Sequence, residues 1–373
     1  MKKRCAHTAL LTACLAGRAE KLDRPARVDL SQEAWEDLIR EAAGEFVLPV
    51  LNRRLGEIGL KPPGEVAEFL AAVEELNGER NAQILEEAWA IARLLNGIGI
   101  EPVALKGVAF LLEGVYPGPG CRYLCDLDLL VPQARLAEAA EILERDGYRQ
   151  DGRDAMARFR HHYPQLQRPR AADGSGSAPV ELHHSLGHGP SKRILSGEAV
   201  WRGSTVRERD GVRLRVPSPE HLATHLILHS QLHHTYSERI WPPPRAIYDL
   251  VMLDRHFGEG LDWKEIRGRF WTDGQETTLL LHLLQVERTL GMARPFAFEL
   301  RLLGRLRWAR RQALNRRPAL RLVDPVYLVS STLSRRMQFL TSIAAAPGGW
   351  KYAARMLSQP GFYRRLLAEI ALR

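Results

Sequence analysis

The segment Asp126-Leu127-Asp128-Leu129-Leu130-Val131 constrains this chain more than any other. Residues two apart on a strand project from one face. Asp126 and Asp128 therefore point one way, and Leu127, Leu129 and Val131 point the other. Beyond the pair, Leu129-Leu130-Val131-Pro132 is apolar on both faces, as an interior strand is. Two carboxylates held this close repel each other unless a cation sits between them. Mg²⁺ favours such oxygen ligands and recruits substrate phosphates to complete its shell. Glu181, a charge inside the apolar run Val180-Glu181-Leu182, fits as a third carboxylate from a neighbouring strand. His183 shares the face of Glu181 and is a candidate substrate contact; His161 and His162 are looser candidates.

The surroundings of this segment are read from hydrophobic periodicity. Residues 1–97 read as a helical region. Ser31 is a candidate N-cap, and Trp35, Leu38, Ile39, Ala42 and Phe46 recur at helical spacing. After Pro62-Pro63-Gly64, a long amphipathic helix over 65–95 is expected to turn Phe69, Ala72, Leu76, Ile84, Ala88 and Ile91 inward. Residues 98–217 read as a mixed α/β core. A short strand ends at Lys106-Gly107, a helix covers 108–115, and a turn-rich loop leads to the acidic strand. A helix over 133–147 follows, then two extended runs around 159–166 and 180–186, and a hairpin about Asp210-Gly211. Residues 218–373 read as a C-terminal helical domain opening at Ser218-Pro219-Glu220. The expected fold class is α+β: a small mixed sheet flanked by helical regions on both sides.

The run Val103-Ala104-Leu105-Lys106-Gly107, then Tyr116-Pro117, Arg122 and the acidic strand, with Val180-Glu181-Leu182-His183 downstream, resembles the uncharacterised nucleotidyltransferase family of the polymerase-β-like superfamily. Trp35-Glu36-Asp37-Leu38 and the stretch 218–249 are similar to that family's helical parts, so the likeness covers most of residues 30–265. It implies a nucleotidyltransferase core with a two-metal Mg²⁺ site and a nucleoside triphosphate donor. Asp126 and Asp128 would bind both metals, and Glu181 would lie near the catalytic metal and the incoming hydroxyl. The metals would stabilise the attacking and leaving oxygens of an in-line displacement at the α-phosphate, with pyrophosphate leaving. The superfamily's Gly-[Gly/Ser] turn cradles the triphosphate. Here the turn reads Lys106-Gly107-Val108, without the serine, and Lys106 is expected to supply charge to the phosphates instead. Arg122 is a second candidate phosphate contact.

Composition enters as a check. Net charge is +9, and only eight of the 53 cations are lysines. An arginine-rich surface suits phosphate or nucleic-acid partners, but a GC-rich genome produces the same bias. The densest basic tract, Arg301 to Arg321, interleaves with Leu302, Leu303, Leu306 and Trp308. It reads as an amphipathic helix with a solvated basic face, in preference to a nucleic-acid groove. His221, His225, His229 and His233 form a stripe at spacing four with no intervening glutamate. A zinc site there is not expected, and a structural bond such as His229 with Asp249 is the preferred reading. Met1-Lys2-Lys3-Arg4 and the following apolar stretch only superficially resemble an export signal, since His7 and Thr8 interrupt it. Four cysteines without metal spacing suggest reduced thiols, a cytoplasmic setting and no membrane span. The acceptor could be a small molecule, a sugar or a peptide. The competing functions are a catalytically altered module binding RNA, DNA or protein, and a transferase using a nucleotide-sugar donor.

Overall fold

Ser31 caps the first long helix as its side chain dictates: its Oγ accepts from Ala34 N at 3.3 Å. The computed structural model describes residues 10–17, 30–150, 161–169, 178–233 and 243–316. Helix α1 (Gln32–Gly44) buries Trp35, Leu38 and Ala42. Phe46, expected on that face, is 45% exposed. The helix ends at Gly44, and Phe46 adopts φ 57°, which turns its ring out to stack on Tyr123. Helix α2 (Leu48–Glu57) follows at once.

Helix α3 (Gly64–Gly97) is the longest described. Its C-terminal half buries Ile84, Ala88 and Ile91 as expected, but its N-terminal half does not follow the apolar residues. Phe69, Ala72 and Leu76 are exposed, and the buried stripe runs through Val66, Leu70, Asn77 and Asn81 instead. The reason is what α3 packs against. Its inner face meets the backbone of the loop at 119–122, whose carbonyls need donors that apolar side chains lack. Asn77 Nδ2 donates to Gly120 O and Arg122 O at 2.7 and 3.0 Å. Asn81 Nδ2 donates to Pro119 O and Arg122 O at 2.6 and 2.7 Å.

The core holds β1 (Val103–Ala104), α4 (Lys106–Glu113), β2 (Leu127–Leu130), α5 (Leu136–Arg145), β3 (Arg149–Gln150), β4 (Leu166–Gln167) and β5 (Val180–His183). It continues through α6 (Pro190–Ile194), α7 (Gly197–Arg202), β6 (Thr205–Arg209) and β7 (Val212–Val216). The strands form one mixed sheet in the order β3-β4-β5-β2-β1-β7-β6. The expected 205–216 hairpin turns through Asp210 and Gly211, both at positive φ, as a two-residue primed turn requires. Of the two extended runs, Leu166 pairs antiparallel with Val180 and His162 bridges His183. The intervening residues 170–177, and 151–160 before them, lie outside the described residues.

The helices after the sheet are α8 (Pro219–Leu228), a π-helical turn (His229–His233), α9 (Pro244–Phe257), α10 (Trp263–Thr272), α11 (Glu276–Leu290) and α12 (Leu302–Arg316). Ser218 caps α8, with Pro219 in its first turn. One continuous apolar cluster runs from Leu11 through the sheet to Met292, so helices and sheet share an interior. The architecture is α+β, and among the described residues no helix is long and apolar enough to cross a membrane. The basic tract has its expected solvated face at Arg301, Arg305 and Arg307 and departs from expectation on the other side. On α12, Leu302, Leu303 and Leu306 are exposed while Arg311 is buried against Gln231 and His282. The helix therefore buries Arg311 together with Leu314 and leaves its first three leucines in solvent; Arg317 and Arg321 lie outside the described residues.

His282 on α11 is fully buried, with Gln231 Nε2 3.0 Å from its Nδ1. Burial, and then Arg311, push its pKa down to about 3. The folded state holds the ring neutral, whereas the unfolded chain binds a proton near pH 6.5. Stability from this group is present above pH 6.5 and is lost as pH falls toward 3. Between pH 7 and 5 the wild type is expected to lose about 2 kcal/mol more than His282→Gln, measured from urea midpoints. Equal losses would show that the ring is not held neutral.

Candidate functional site

Three strands meet where the acidic strand begins. β1 runs antiparallel to β2, and Leu105 N donates to Asp128 O at 3.0 Å, so the residue after β1 arrives beside Asp128. That residue is Lys106. β5 runs parallel to β2 with Asp128 opposite Glu181 and Leu130 opposite His183. Strand alternation then places Asp128, Glu181 and His183 on one face. Lys106 Nζ lies 2.7 Å from Asp128 Oδ1 and 3.9 Å from Glu181 Oε2. His183 Nε2 lies 2.7 Å from the same Asp128 oxygen and 3.3 Å from Glu181. Asp128 and His183 are each 1% exposed, while Lys106 and Glu181 are about one-fifth open, so the cluster has a floor and a mouth.

Lys106 has φ 47°, in the left-handed region that costs a non-glycine residue roughly 1–2 kcal/mol. The strand-to-helix turn thus carries a lysine where glycine would sit without cost. The ammonium it delivers is the compensation visible in the structure. Gly107 has a different reason to be glycine. A Cβ there would lie 2.3 Å from Arg122 Nη1 and 2.7 Å from Leu124 Cγ.

Charge is unevenly compensated. Burial opposes ionisation of Asp128, but the Lys106 ammonium and the His183 hydrogen bond outweigh it and hold the carboxyl well below its usual range. Burial also opposes ionisation of Glu181, and the His183 bond carries it below its usual range. Burial disfavours protonated His183, yet its bonds to Asp128 and Glu181 raise its pKa. Among the described residues no such donor reaches Asp126. Burial, then the Asp128 charge, push it up to about 6, only partly countered by Lys106 and Arg245. Three carboxylates thus share one lysine, one histidine and the more distant Arg245.

Among the described residues, the group able to offer ligand atoms to one metal ion is Asp128, Glu181 and His183, with those atoms within 4.8 Å of one another. Asp126 flanks that group immediately before β2. Carboxylate oxygens are a donor set that fits a hard divalent cation. His183, a sequence candidate for substrate contact, is placed on the floor, bonded to both carboxylates.

Arg122 is placed one layer away. Its Nε and Nη2 reach Asp249 Oδ1 and Oδ2, both at 2.9 Å, and Tyr116 OH donates to the same carboxylate. All three are buried. Asp249 belongs to α9, so this clasp ties the loop before the acidic strand to the C-terminal helices. Asp249, which the sequence paired with His229, is thus bonded to Arg122 and Tyr116. Of the histidine stripe, His221 lies 2.8 Å from Arg269, and burial, then that neighbour, lower its pKa. His225 and His229 line a small cavity with Lys106, Phe110, Arg245 and Asp249, and the side chain of His233 lies outside the described ones.

Sequence reasoning missed Asn77, Asn81 and Arg245. The asparagines had a signal, being polar at spacing four in a helix that must be buried. Arg245 had none, since only the fold brings α9 beside the sheet.

Residues 31–291 match the model of a family described as "Uncharacterised nucleotidyltransferase". In structure the chain is similar to the crystal structure of an antigenic nucleotidyltransferase-like protein from Paracoccidioides brasiliensis, with 12% identity and a TM-score of 0.36. That match covers 56% of this chain and 92% of the other. No curated protein matches the chain in sequence.

The clasp predicts a double-mutant result. Asp249→Asn leaves Arg122 buried without its anion and should cost about 3–5 kcal/mol of unfolding free energy. Adding Arg122→Met should recover part of that loss, because the stranded charge is gone. Urea denaturation checks both; additive losses would mean that the pair is not coupled.

Proposed function

The chain belongs to the uncharacterised nucleotidyltransferase family, and from that premise we propose that it is an Mg²⁺-dependent transferase moving a nucleoside monophosphate from a nucleoside triphosphate to a hydroxyl or phosphate acceptor. The observation that carries this reading is the parallel register that sets Asp128 opposite Glu181, with Lys106 at the mouth between them. Asp126, Asp128 and Glu181 are the residues that would hold Mg²⁺. When bound, the ion supplies neutralisation of the phosphates and activation of the acceptor oxygen. Lys106 binds the phosphates by charge, and Gly107 keeps the turn open by leaving room for Arg122. Arg122, its charge matched by Asp249, supports the turn at Gly107 from below. His183 fixes the carboxylate rotamers, as the outer partners of metal ligands do.

In the transfer, an acceptor oxygen forms a bond to the α-phosphorus while the bond to the bridging oxygen breaks. Pyrophosphate leaves with that electron pair, and the acceptor's proton is released to water. The core at 98–217 would perform this chemistry, and the helical regions at 1–97 and 218–373 would shape the acceptor side, be it a small molecule, a sugar or a peptide. Cys14, Cys121 and Cys125 are free thiols, which supports a cytoplasmic setting.

Two measurements test the reading. Labelled ATP, CTP, GTP and UTP with Mg²⁺ should reveal one bound and consumed donor, with pyrophosphate released. Asp128→Asn should lower that rate at least about a thousandfold, on the order of 4 kcal/mol in the barrier. Mg²⁺ should also raise the Tm of the wild type but not of the Asp126→Asn/Asp128→Asn double variant. Absence of both nucleotide binding and a Mg²⁺ shift overturns the proposal. Salt-dependent RNA retention, unchanged in the double variant, would instead identify a binding module. Consumption of a nucleotide sugar alone would change the donor.

A further inference from the structure

Helix α4 has 8 residues beside the 34 of α3. Gly114 ends it at φ 66°, a left-handed cap that suits glycine. The chain leaves through Val115 and Tyr116 and meets α3 again at Pro119, whose carbonyl accepts from Asn81. Where α4 stops short, a slot of about 240 Å³ opens between α3, α4 and this loop. Asn81, Phe110 and Tyr116 are its buried floor. Ala82 and Gly114 are exposed at its rim, and Leu85 and Leu111 are half-buried. No residue lining it carries a charge.

Asn81 sets the character of this slot. Its side chain is fully buried, and both amide protons go to the loop, to Pro119 O at 2.6 Å and Arg122 O at 2.7 Å. Those two carbonyls fix the orientation of the amide, so Oδ1 is the acceptor left over. Among the described residues nothing donates to that oxygen. A buried acceptor without a donor costs free energy that an apolar side chain of the same shape would not. The other floor residues are rings already engaged on their polar side. Tyr116 spends its hydroxyl proton on Asp249, and Phe110 carries the Arg122 guanidinium 4.9 Å from its centroid. A guest therefore meets ring faces, aliphatic edges and one oxygen that needs a donor. The space is smaller than the roughly 300–1,000 Å³ of pockets for drug-sized ligands, which limits the guest to about one ring system.

We infer that this slot binds an uncharged aromatic ring bearing one N–H or O–H donor, with the ring packed on Phe110 and Tyr116 and the donor bonded to Asn81 Oδ1. A phenol or an indole has that chemistry. The slot lies off the carboxylate cluster. Phe110 is common to it and to the cavity beside Lys106, but neither Asp126, Asp128 nor Glu181 lines it. The inference does not depend on nucleotidyl transfer. The guest would bear on the loop instead, because the amide that receives it also holds Arg122 O, four residues before Asp126.

The probes are p-cresol and p-xylene, which differ only in a hydroxyl against a methyl group. Calorimetry on the full chain should show p-cresol bound at least tenfold more tightly than p-xylene. Ala82→Leu fills the rim from an exposed helical position; it should weaken p-cresol at least tenfold and leave the Tm in place. Asn81→Leu should erase the preference between the probes. Where thermal melts show that this variant misfolds, Ala82→Leu and the probe pair carry the test. The Asp126→Asn/Asp128→Asn variant should bind p-cresol as the wild type does. No p-cresol binding by the wild type, equal affinity for the two probes, or binding untouched by Ala82→Leu overturns the slot. Loss of binding in the double aspartate variant also overturns it, since the probe would then sit at the carboxylates. A chain that binds p-cresol in this way and consumes no nucleotide keeps the slot and loses the transferase reading.

Discussion

Like charges on adjacent strands are the constraint around which this molecule is organised. Parallel pairing of β2 and β5 forces Asp128 and Glu181 side by side, with Asp126 just before them. Nothing in sheet geometry relieves the repulsion; like charges directly opposite are destabilising. Relief comes from a lysine in an unfavourable backbone conformation and a histidine buried beneath. Even so, Asp126 remains only partly compensated, and its raised pKa records the shortfall. A sheet selected only for stability would place apolar side chains here, since replacing buried charges by apolar groups is often stabilising.

The rest of the fold holds that arrangement in place from two sides. From the N-terminal side, α3 inserts Asn77 and Asn81 under the loop at 119–122 and satisfies its carbonyls. Gly120 lets the two backbones close up, because a Cβ there would lie 2.1 Å from Glu74 O. From the C-terminal side, Asp249 grips Arg122 at the end of the same loop. The loop leads directly into the acidic strand, so both helical regions fix where Asp126 and Asp128 stand. Positioning groups on rigid elements is what a metal or phosphate site requires.

Much of this was legible in the sequence, for identifiable reasons. The alternation around Asp126 and Asp128, and the charge at Glu181 inside an apolar run, report burial and facing directly, because strand periodicity leaves little choice. The Asp210-Gly211 turn and the caps at Ser31 and Ser218 were equally readable, since each depends on neighbouring residues only. What could not be read depends on partners distant in sequence. Asn77 and Asn81 are buried because of carbonyls about 40 residues away. Phe69 and Leu76 are exposed because that partner is backbone rather than an apolar surface. Arg122 looked like a phosphate ligand, and only the packing of α9 supplies the carboxylate that binds it. Arg311 on α12 is buried for the same kind of reason, in the face of a pattern that favoured its leucines.

The close approach of Gly107 to Arg122 has a consequence for how such turns are interpreted. A glycine at the start of a nucleotide-binding helix is ordinarily credited to the ligand above it. Here the missing side chain is filled from below, by a guanidinium and a leucine. Positions 107, 122 and 124 therefore behave as one volume shared among three residues. A side chain can enter at 107 only where those at 122 and 124 shrink or withdraw, and a retreat of Arg122 in turn strands Asp249. The turn glycine is in this sense an internal joint of the protein, and its identity reports how the helical region is fastened to the sheet.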